Sequence, residues 1–243
     1  MNLEVEKTYT FSRNDSKNII GALASISNST KNIHLKKIKI TNALHILLID
    51  ERPKYKNRFK ILLNDDTNDA NGQVKIIYSP KIRVSNVEEV LQTYLEENIL
   101  LDELNNHHFF PLKIHVKAVY FKKKIKFNYN INDYKVRIAV DQLSAINPVN
   151  IKQTSEPYFN MEIEGKDSTE IDNVANQLLS EFKSRISFID MDESKEAIAS
   201  LYCSKNTILQ FQDCASLISY AQSIKKECVT CFEDVYSILE LNN

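Results

Sequence analysis

Charged and apolar residues alternate over many short stretches of this chain. Two glutamates flank Val5 near the start of the sequence, and two more flank Ile163. Because successive side chains of a strand point to opposite faces, each stretch predicts a strand with both carboxylates on one face. The four residues are Glu4, Glu6, Glu162 and Glu164. The pattern therefore predicts a sheet that has one charged face and one apolar face.

Basic residues follow the same alternation in the segments between these glutamates. They are Arg58, Lys60, Lys75, Lys126, Lys135 and Arg137, and Asp141 shares the face of the last two. Carboxylates that face one another repel unless cations join them, and carboxylate oxygens suit Mg²⁺ or Mn²⁺. Metal-binding acids beside phosphate-binding bases indicate a phosphate site within the sheet. The alternative is an ordinary sheet whose charged face lies in water.

Composition restricts how such a site could work. The 243 residues include 31 Lys and Arg against 32 Asp and Glu, so the basic excess of a dedicated nucleic-acid binder is missing. We therefore do not expect a nucleic-acid partner. The only glycines are Gly21, Gly72 and Gly165, which excludes the glycine-rich phosphate loops. A phosphate group would have to be bound by side chains.

The sequence also predicts a cytoplasmic protein. No apolar run reaches the length of a membrane span, and the first residues have no apolar signal segment. The four cysteines are then expected to be reduced. Cys228 and Cys231 have zinc-like or redox-like spacing, but buried structural cysteines are the commoner interpretation. His107 and His108 fall in a polar connection, where metal binding is not expected.

Periodicity predicts the order of the elements. Helical spacing covers the segment from Asp15 to Ile26, the segment from Asn86 to Leu104, and Asp167–Phe182 with Ser168 as its cap. After Ser187 the tail is predicted to be mostly helical, over Lys195–Tyr202, Asp213–Lys226 and Phe232–Leu241. Alternation predicts strands at residues 2–11, 34–40, 44–50, 58–63, 73–83, 112–121, 123–130, 134–142 and 158–164.

Short separations between strands favour antiparallel pairing, which gives an α+β fold around a large antiparallel sheet. We predict flanking helices and two parts, a sheet domain over residues 1–190 and a helical C-terminal extension over residues 191–243 that packs on it. The sequence does not indicate an oligomeric state.

These motifs resemble the CYTH superfamily, the triphosphate tunnel metalloenzymes. The match begins with Leu3-Glu4-Val5-Glu6-Lys7, which is similar to the family's opening strand. A basic strand at Lys124–Phe127 and an Asp-ending strand at Val136–Asp141 follow. The most specific match is Pro157–Gly165 followed by a helix. The resemblance covers roughly residues 1–190 and implies an eight-stranded antiparallel sheet closed into a tunnel.

The resemblance also implies an activity and assigns roles to residues. Family enzymes hydrolyse inorganic triphosphate, thiamine triphosphate, nucleoside triphosphates or RNA 5′-triphosphate ends, and class IV adenylyl cyclases share the fold. Glu4, Glu6, Glu162 and Glu164 would bind Mg²⁺ or Mn²⁺, and Asp141 would join them or orient a water molecule. The phosphate-binding residues would be Arg58, Lys60, Lys75, Lys126, Lys135 and Arg137. A small-molecule triphosphate would be the substrate.

One residue departs from the family pattern. The family's opening lysine corresponds to position 8, where this chain has Thr8, and Lys7 stands one residue too early. By alternation the side chain of Lys7 should point out of the tunnel. A bulge could redirect it, another lysine could substitute, or catalysis could be impaired. A metal-dependent triphosphatase is thus the first hypothesis, with a class IV-like cyclase, a catalytically impaired triphosphate-binding module or an unrelated scaffold as alternatives.

Overall fold

A computed structural model describes residues 2–29, 33–49, 55–63, 75–86, 91–96, 99–100, 110–131, 134–182, 189–190 and 195–228. A 3₁₀ turn at Arg13–Asp15 precedes helix α1 (Ser16–Ser29), and α2 (Ser168–Phe182), α3 (Lys195–Ser200) and α4 (Cys214–Cys228) follow. The strands are β1 (Asn2–Phe11), β2 (Ile33–Leu48), β3 (Tyr55–Leu62), β4 (Lys75–Asn86), β5 (Leu91–Glu96), β6 (Ile99–Leu100), β7 (Leu112–Ile131), β8 (Tyr134–Ile146), β9 (Tyr158–Gly165), β10 (Ile189–Asp190) and β11 (Ile208–Phe211).

Antiparallel pairing joins eight of these strands into a ring. β1 pairs with β5 along one edge and with β9 along the other. The remaining pairs run from β5 through β4, β3, β2, β7 and β8 to β9. The short strands β6, β10 and β11 are additions that pair with β4, β1 and β7. The predicted α+β fold, with an eight-stranded antiparallel sheet closed into a tunnel, is confirmed.

The outer face of the ring is apolar and is covered by helices. Val5 of β1, Ile138 of β8 and Ile163 of β9 are buried in one cluster with Leu23 of α1 and Ile171 of α2. On the other side of the ring, the outer faces of β2, β3 and β7 pack against α4 in a second cluster. Because the apolar residues face outward, alternation turns the charged residues toward the inside of the ring.

The structure corrects three predictions about the elements. The helix predicted over the segment from Asn86 to Leu104 is wrong, because β5 and β6 occupy the described part of it. Backbone hydrogen bonds from β5 to both β1 and β4 outweigh the helical spacing of its apolar residues. The breaks predicted within β2 and β7 are also wrong, since the two strands pair continuously from Ile33 to Leu48 apart from two bulges. The cap of α2 is Asp167 rather than Ser168, because its carboxylate accepts the N–H groups of Thr169 and Glu170.

The C-terminal part contains helices α3 and α4 as predicted, with β11 between them. The segment from Phe232 to Leu241, together with Cys231, His107 and His108, lies outside the described residues. None of the described helices is long and apolar enough to cross a membrane. The division of the chain at residue 190 stays a prediction.

Candidate functional site

The acidic wall of the ring interior is formed by β1, β8 and β9. Asp141 is fully buried, and Glu162 and Glu164 are almost so. The register of β1 against β9 places Glu6 opposite Glu164 and Thr8 opposite Glu162. Residues opposite each other in an antiparallel pair have neighbouring side chains. The two glutamate pairs found in the sequence are therefore adjacent in the fold, although the side chain of Glu4 lies outside the described part of the structure.

Lys124 of β7 lies at the centre of this acidic wall. Its Nζ is 2.6 Å from Oε2 of Glu162, 3.2 Å from Oε1 of Glu164 and 3.7 Å from Oδ1 of Asp141. Burial opposes the charge on Lys124, but Asp141 and then Glu164 together raise its pKa above the ordinary value. The carboxylates thus converge on a point that holds positive charge.

Two further cations contact the same carboxylates. Lys122 of β7 lies 2.5 Å from Asp141, while burial holds the pKa of Lys122 below its ordinary value. Arg137 donates a 2.7 Å hydrogen bond to Glu164. Burial alone would raise the pKa of Glu164, but Lys124 and Arg137 lower it well below the usual range. Glu164 is consequently ionised at neutral pH.

The basic wall lies on the neighbouring strands. Arg58 and Lys60 of β3 and Lys75 of β4 are half-buried on the inner face, since their register alternates with the outward-facing Phe59, Ile61 and Ile76. Lys126 of β7 is also on the inner face. Burial, and then the charge of Lys124, lowers the pKa of Lys126 to about 8. Lys135 is exposed at the end of β8.

The two ends of the tunnel differ. At one end the inner-face residues Leu47, Ala118, Tyr120, Leu143 and Ala145 form an apolar cluster with Ala199 of α3. We call this cluster with α3 the plug. At the other end the inner-face residues Lys39, Lys135 and Arg137 are exposed to solvent. Among the described strands, the interior is therefore open at a basic mouth and closed by the plug.

The structure shows whether the side chain of Lys7 points into the tunnel or away from it. Lys7 is paired with Ile163 in the register of β1 and β9, on the outer face, and its ammonium contacts Asp172 of α2. No bulge turns Lys7 into the tunnel. Instead, the ammonium group beside Glu162 and Glu164 belongs to Lys124.

Sequence reasoning assigned no role to four residues of the interior, namely His45, Lys122, Lys124 and Asn160. The alternation of Lys122 and Lys124 with Ile125 was visible, but only the three-dimensional ring shows that they reach the carboxylates. His45 and Asn160 carried no sequence signal beyond their positions on inner faces. Both are buried, and the side-chain amide of Asn160 has no hydrogen-bond partner within the described residues.

A comparison with a solved structure supports the fold. HpAC1 from Hippeastrum, an adenylyl cyclase candidate described as having a dominant triphosphatase activity, superimposes with a TM-score of 0.50. At 11% identity, the match covers 83% of this chain and 97% of HpAC1. No family model matches the sequence, and no curated protein matches it.

Weaker likenesses join this one. PH1819 from Pyrococcus horikoshii has a TM-score of 0.44 at 14% identity, covering 80% of this chain and 97% of PH1819. The mimivirus capping enzyme triphosphatase has a TM-score of 0.41 at 16% identity, with 75% of this chain and 89% of the other covered. The likeness to HpAC1 shows a shared fold, in agreement with the tunnel fold that the resemblance implied.

Proposed function

We propose that this protein hydrolyses a linear triphosphate held in the tunnel, with the help of a divalent metal ion. The observation that carries the proposal is the buried set of opposite charges, in which Lys124 binds Glu162 and Glu164 inside a closed ring. Enclosing so many charges is costly unless a charged ligand uses them. A polyphosphate in contact with the basic wall would supply the missing negative charge.

The acidic wall has the chemistry of a metal site. Among the described residues, no group of three or more His, Cys, Asp or Glu side chains is already placed to hold a metal ion. However, Glu162 and Glu164 converge on a single cation, Lys124, and Glu6 lies opposite Glu164. These oxygens suit Mg²⁺ or Mn²⁺. We propose Glu4 as the fourth ligand, and a metal bound there would neutralise charge developing on phosphate oxygens.

The remaining residues would bind and orient the substrate. Arg58, Lys60 and Lys75 lie on strands that face the interior from the basic side, and Lys126 and Arg137 lie nearer the mouth. Their charges would fix the phosphate chain for in-line attack by water. When the substrate binds, the ammonium group of Lys124 would move from the carboxylates to a phosphate oxygen. Lys124 would thereby take the place of the family's opening lysine, which is Thr8 in this chain. Asp141 would then remain with Lys122 and orient water.

A non-hydrolytic triphosphate-binding module is the second candidate. It is favoured by the contact of Lys124 with the same carboxylates that a metal would need. In that case the lysine, instead of a metal, would be the permanent counterion of the acidic wall. The two candidates differ in one result, since only the enzyme would release phosphate.

The test is phosphate release from inorganic triphosphate, ATP and thiamine triphosphate in the presence of Mg²⁺ or Mn²⁺. We expect release by the wild type and a loss of roughly 100-fold in Glu162→Gln/Glu164→Gln, as when metal ligation is disturbed. The exposed Glu156→Gln is the matched control and should keep full activity. Binding without release would favour the binding module, and cyclic AMP formed from ATP would favour the cyclase. If the protein neither binds these triphosphates nor releases phosphate from them, the proposal is contradicted.

A further inference from the structure

His45 is a buried histidine in the tunnel interior to which the proposed chemistry gives no role. It lies on the inner face of β2, opposite Lys60 of β3 and Tyr120 of β7. Its ring stacks on Tyr120, with centroids 4.8 Å apart and planes 7° apart. Only 6% of the residue is exposed. The ring is thus held in one orientation beside the plug, to which Tyr120 belongs.

The polar edge of this ring is incompletely used. Nδ1 of His45 is buried and has no hydrogen-bond partner in the described part of the chain. Leaving a buried polar atom without a partner destabilises the folded state. Such atoms are rare in native structures, and a ligand or a water molecule is one explanation for them.

Four cations act on the pKa of His45. Arg58 and Lys60 face it from β3, and Lys122 and Lys124 face it from β7, together with the phenol of Tyr120. The carboxylate of Asp141 on β8 contacts Lys122. Ala199 of α3 belongs to the plug, and Tyr202, which follows α3, packs against it. Burial, and then Arg58 and the three lysines, hold the pKa of His45 well below its ordinary value. The free protein therefore carries a neutral imidazole among four cations.

An anion bound beside His45 would favour the charged form of its imidazole instead of the neutral form. A polyphosphate entering by the basic mouth cannot pass the plug, so its terminal phosphate would reach deepest, toward His45. Negative charge there would offset Arg58, Lys60 and Lys122 and would favour the imidazolium form. Protonation also turns both ring nitrogens into donors, which suits phosphate oxygens.

We propose that His45 binds the terminal phosphate of the polyphosphate and takes up a proton from solvent as it does so. The proposal rests on the proposed function, because it requires a polyphosphate in the tunnel. It adds a residue and a linkage to that function, namely that binding is stronger at lower pH. No bond other than the new N–H is formed, and the buffer supplies the proton.

The test is calorimetric titration of inorganic triphosphate at pH 7 in buffers of different ionisation enthalpy, which gives the protons bound per complex. His45→Gln keeps a neutral hydrogen-bonding side chain but cannot titrate, and the exposed His115→Gln on β7 is the matched control. The titration of triphosphate itself is common to all three proteins, so differences between them report on His45. Thermal unfolding of the variants shows that each is folded.

We expect wild type and His115→Gln to take up at least half a proton more than His45→Gln. The affinity of His45→Gln should fall roughly tenfold, the factor for losing one charge-assisted hydrogen bond. Equal proton uptake in all three proteins, with binding intact, would overturn the role of His45 and leave the proposed function standing. Absence of binding in the wild type would overturn both.

Discussion

At the scale of single residues, burial and neighbouring charges shift the pKa values of the groups in the interior. Glu164 is held ionised by Lys124 and Arg137, while burial weakens the positive charge of Lys126. The sequence predicted the four glutamates because alternation alone places the two members of each pair on one face of a strand. It could not single out Lys124 or His45, because their importance comes from contacts with strands distant in the chain.

The lowered pKa of Lys126 predicts an alkaline limit for activity. With a pKa of about 8, Lys126 loses its charge as the pH rises through 8, and substrate binding should weaken with it. Since kcat/KM reports the free enzyme, we expect kcat/KM to fall above pH 8. Lys126→Arg, which stays charged, should extend the plateau to higher pH. The exposed Lys113→Arg serves as the control, and identical profiles for all three proteins would contradict the role of Lys126.

At the scale of elements, alternation predicted strands well and predicted their ends poorly. β1, β3, β4, β8 and β9 follow their patterns, whereas β2 and β7 continue through the positions where breaks were predicted. β5 was mistaken for a helix because its apolar spacing is helical, and only its two neighbours, β1 and β4, make it a strand. The pairing partners of a strand depend on the whole ring and cannot be read from the strand's own sequence.

The plug offers a test at this scale. Ala199 of α3 is fully buried against the inner faces of β7 and β8, so a larger side chain has no room. Ala199→Leu should lower the free energy of unfolding by about 1–3 kcal/mol through overpacking. Ala197→Leu, on the exposed side of the same helix, should change it by less than about 0.5 kcal/mol. Urea denaturation measures both, and equal values would show that α3 does not close the tunnel.

At the scale of the whole molecule, the ring holds walls of opposite charge within one enclosure. The resemblance predicted this closed tunnel, whereas the sequence pattern alone left open a sheet with one side in water. A ligand that joins the two walls would bind only the folded state, since the walls come together only when the ring is complete. Binding of such a ligand would therefore be coupled to folding.

This coupling predicts a rise in the unfolding temperature with inorganic triphosphate. At a concentration about 100 times Kd, binding adds roughly 2.7 kcal/mol of stability, which corresponds to an increase of roughly 5–10 °C for a chain of this size. Orthophosphate at the same ionic strength should have a much smaller effect, because it is too short to contact both walls. Differential scanning calorimetry checks this, and equal shifts for the two anions would argue against a site for an extended chain.

The pairing of β1 with β9 has a consequence for how the chain reaches its fold. Thr8 pairs with Glu162, so β1 can pair with β9 only after the much later residues of β9 have been synthesised. Such distant pairings give a high contact order and slow folding. Until they form, β1 and β9 are open strand edges that other chains could join. The alternating charges of these strands oppose such aggregation. The glutamates proposed for catalysis would therefore also keep the chain from associating with other chains before the ring closes.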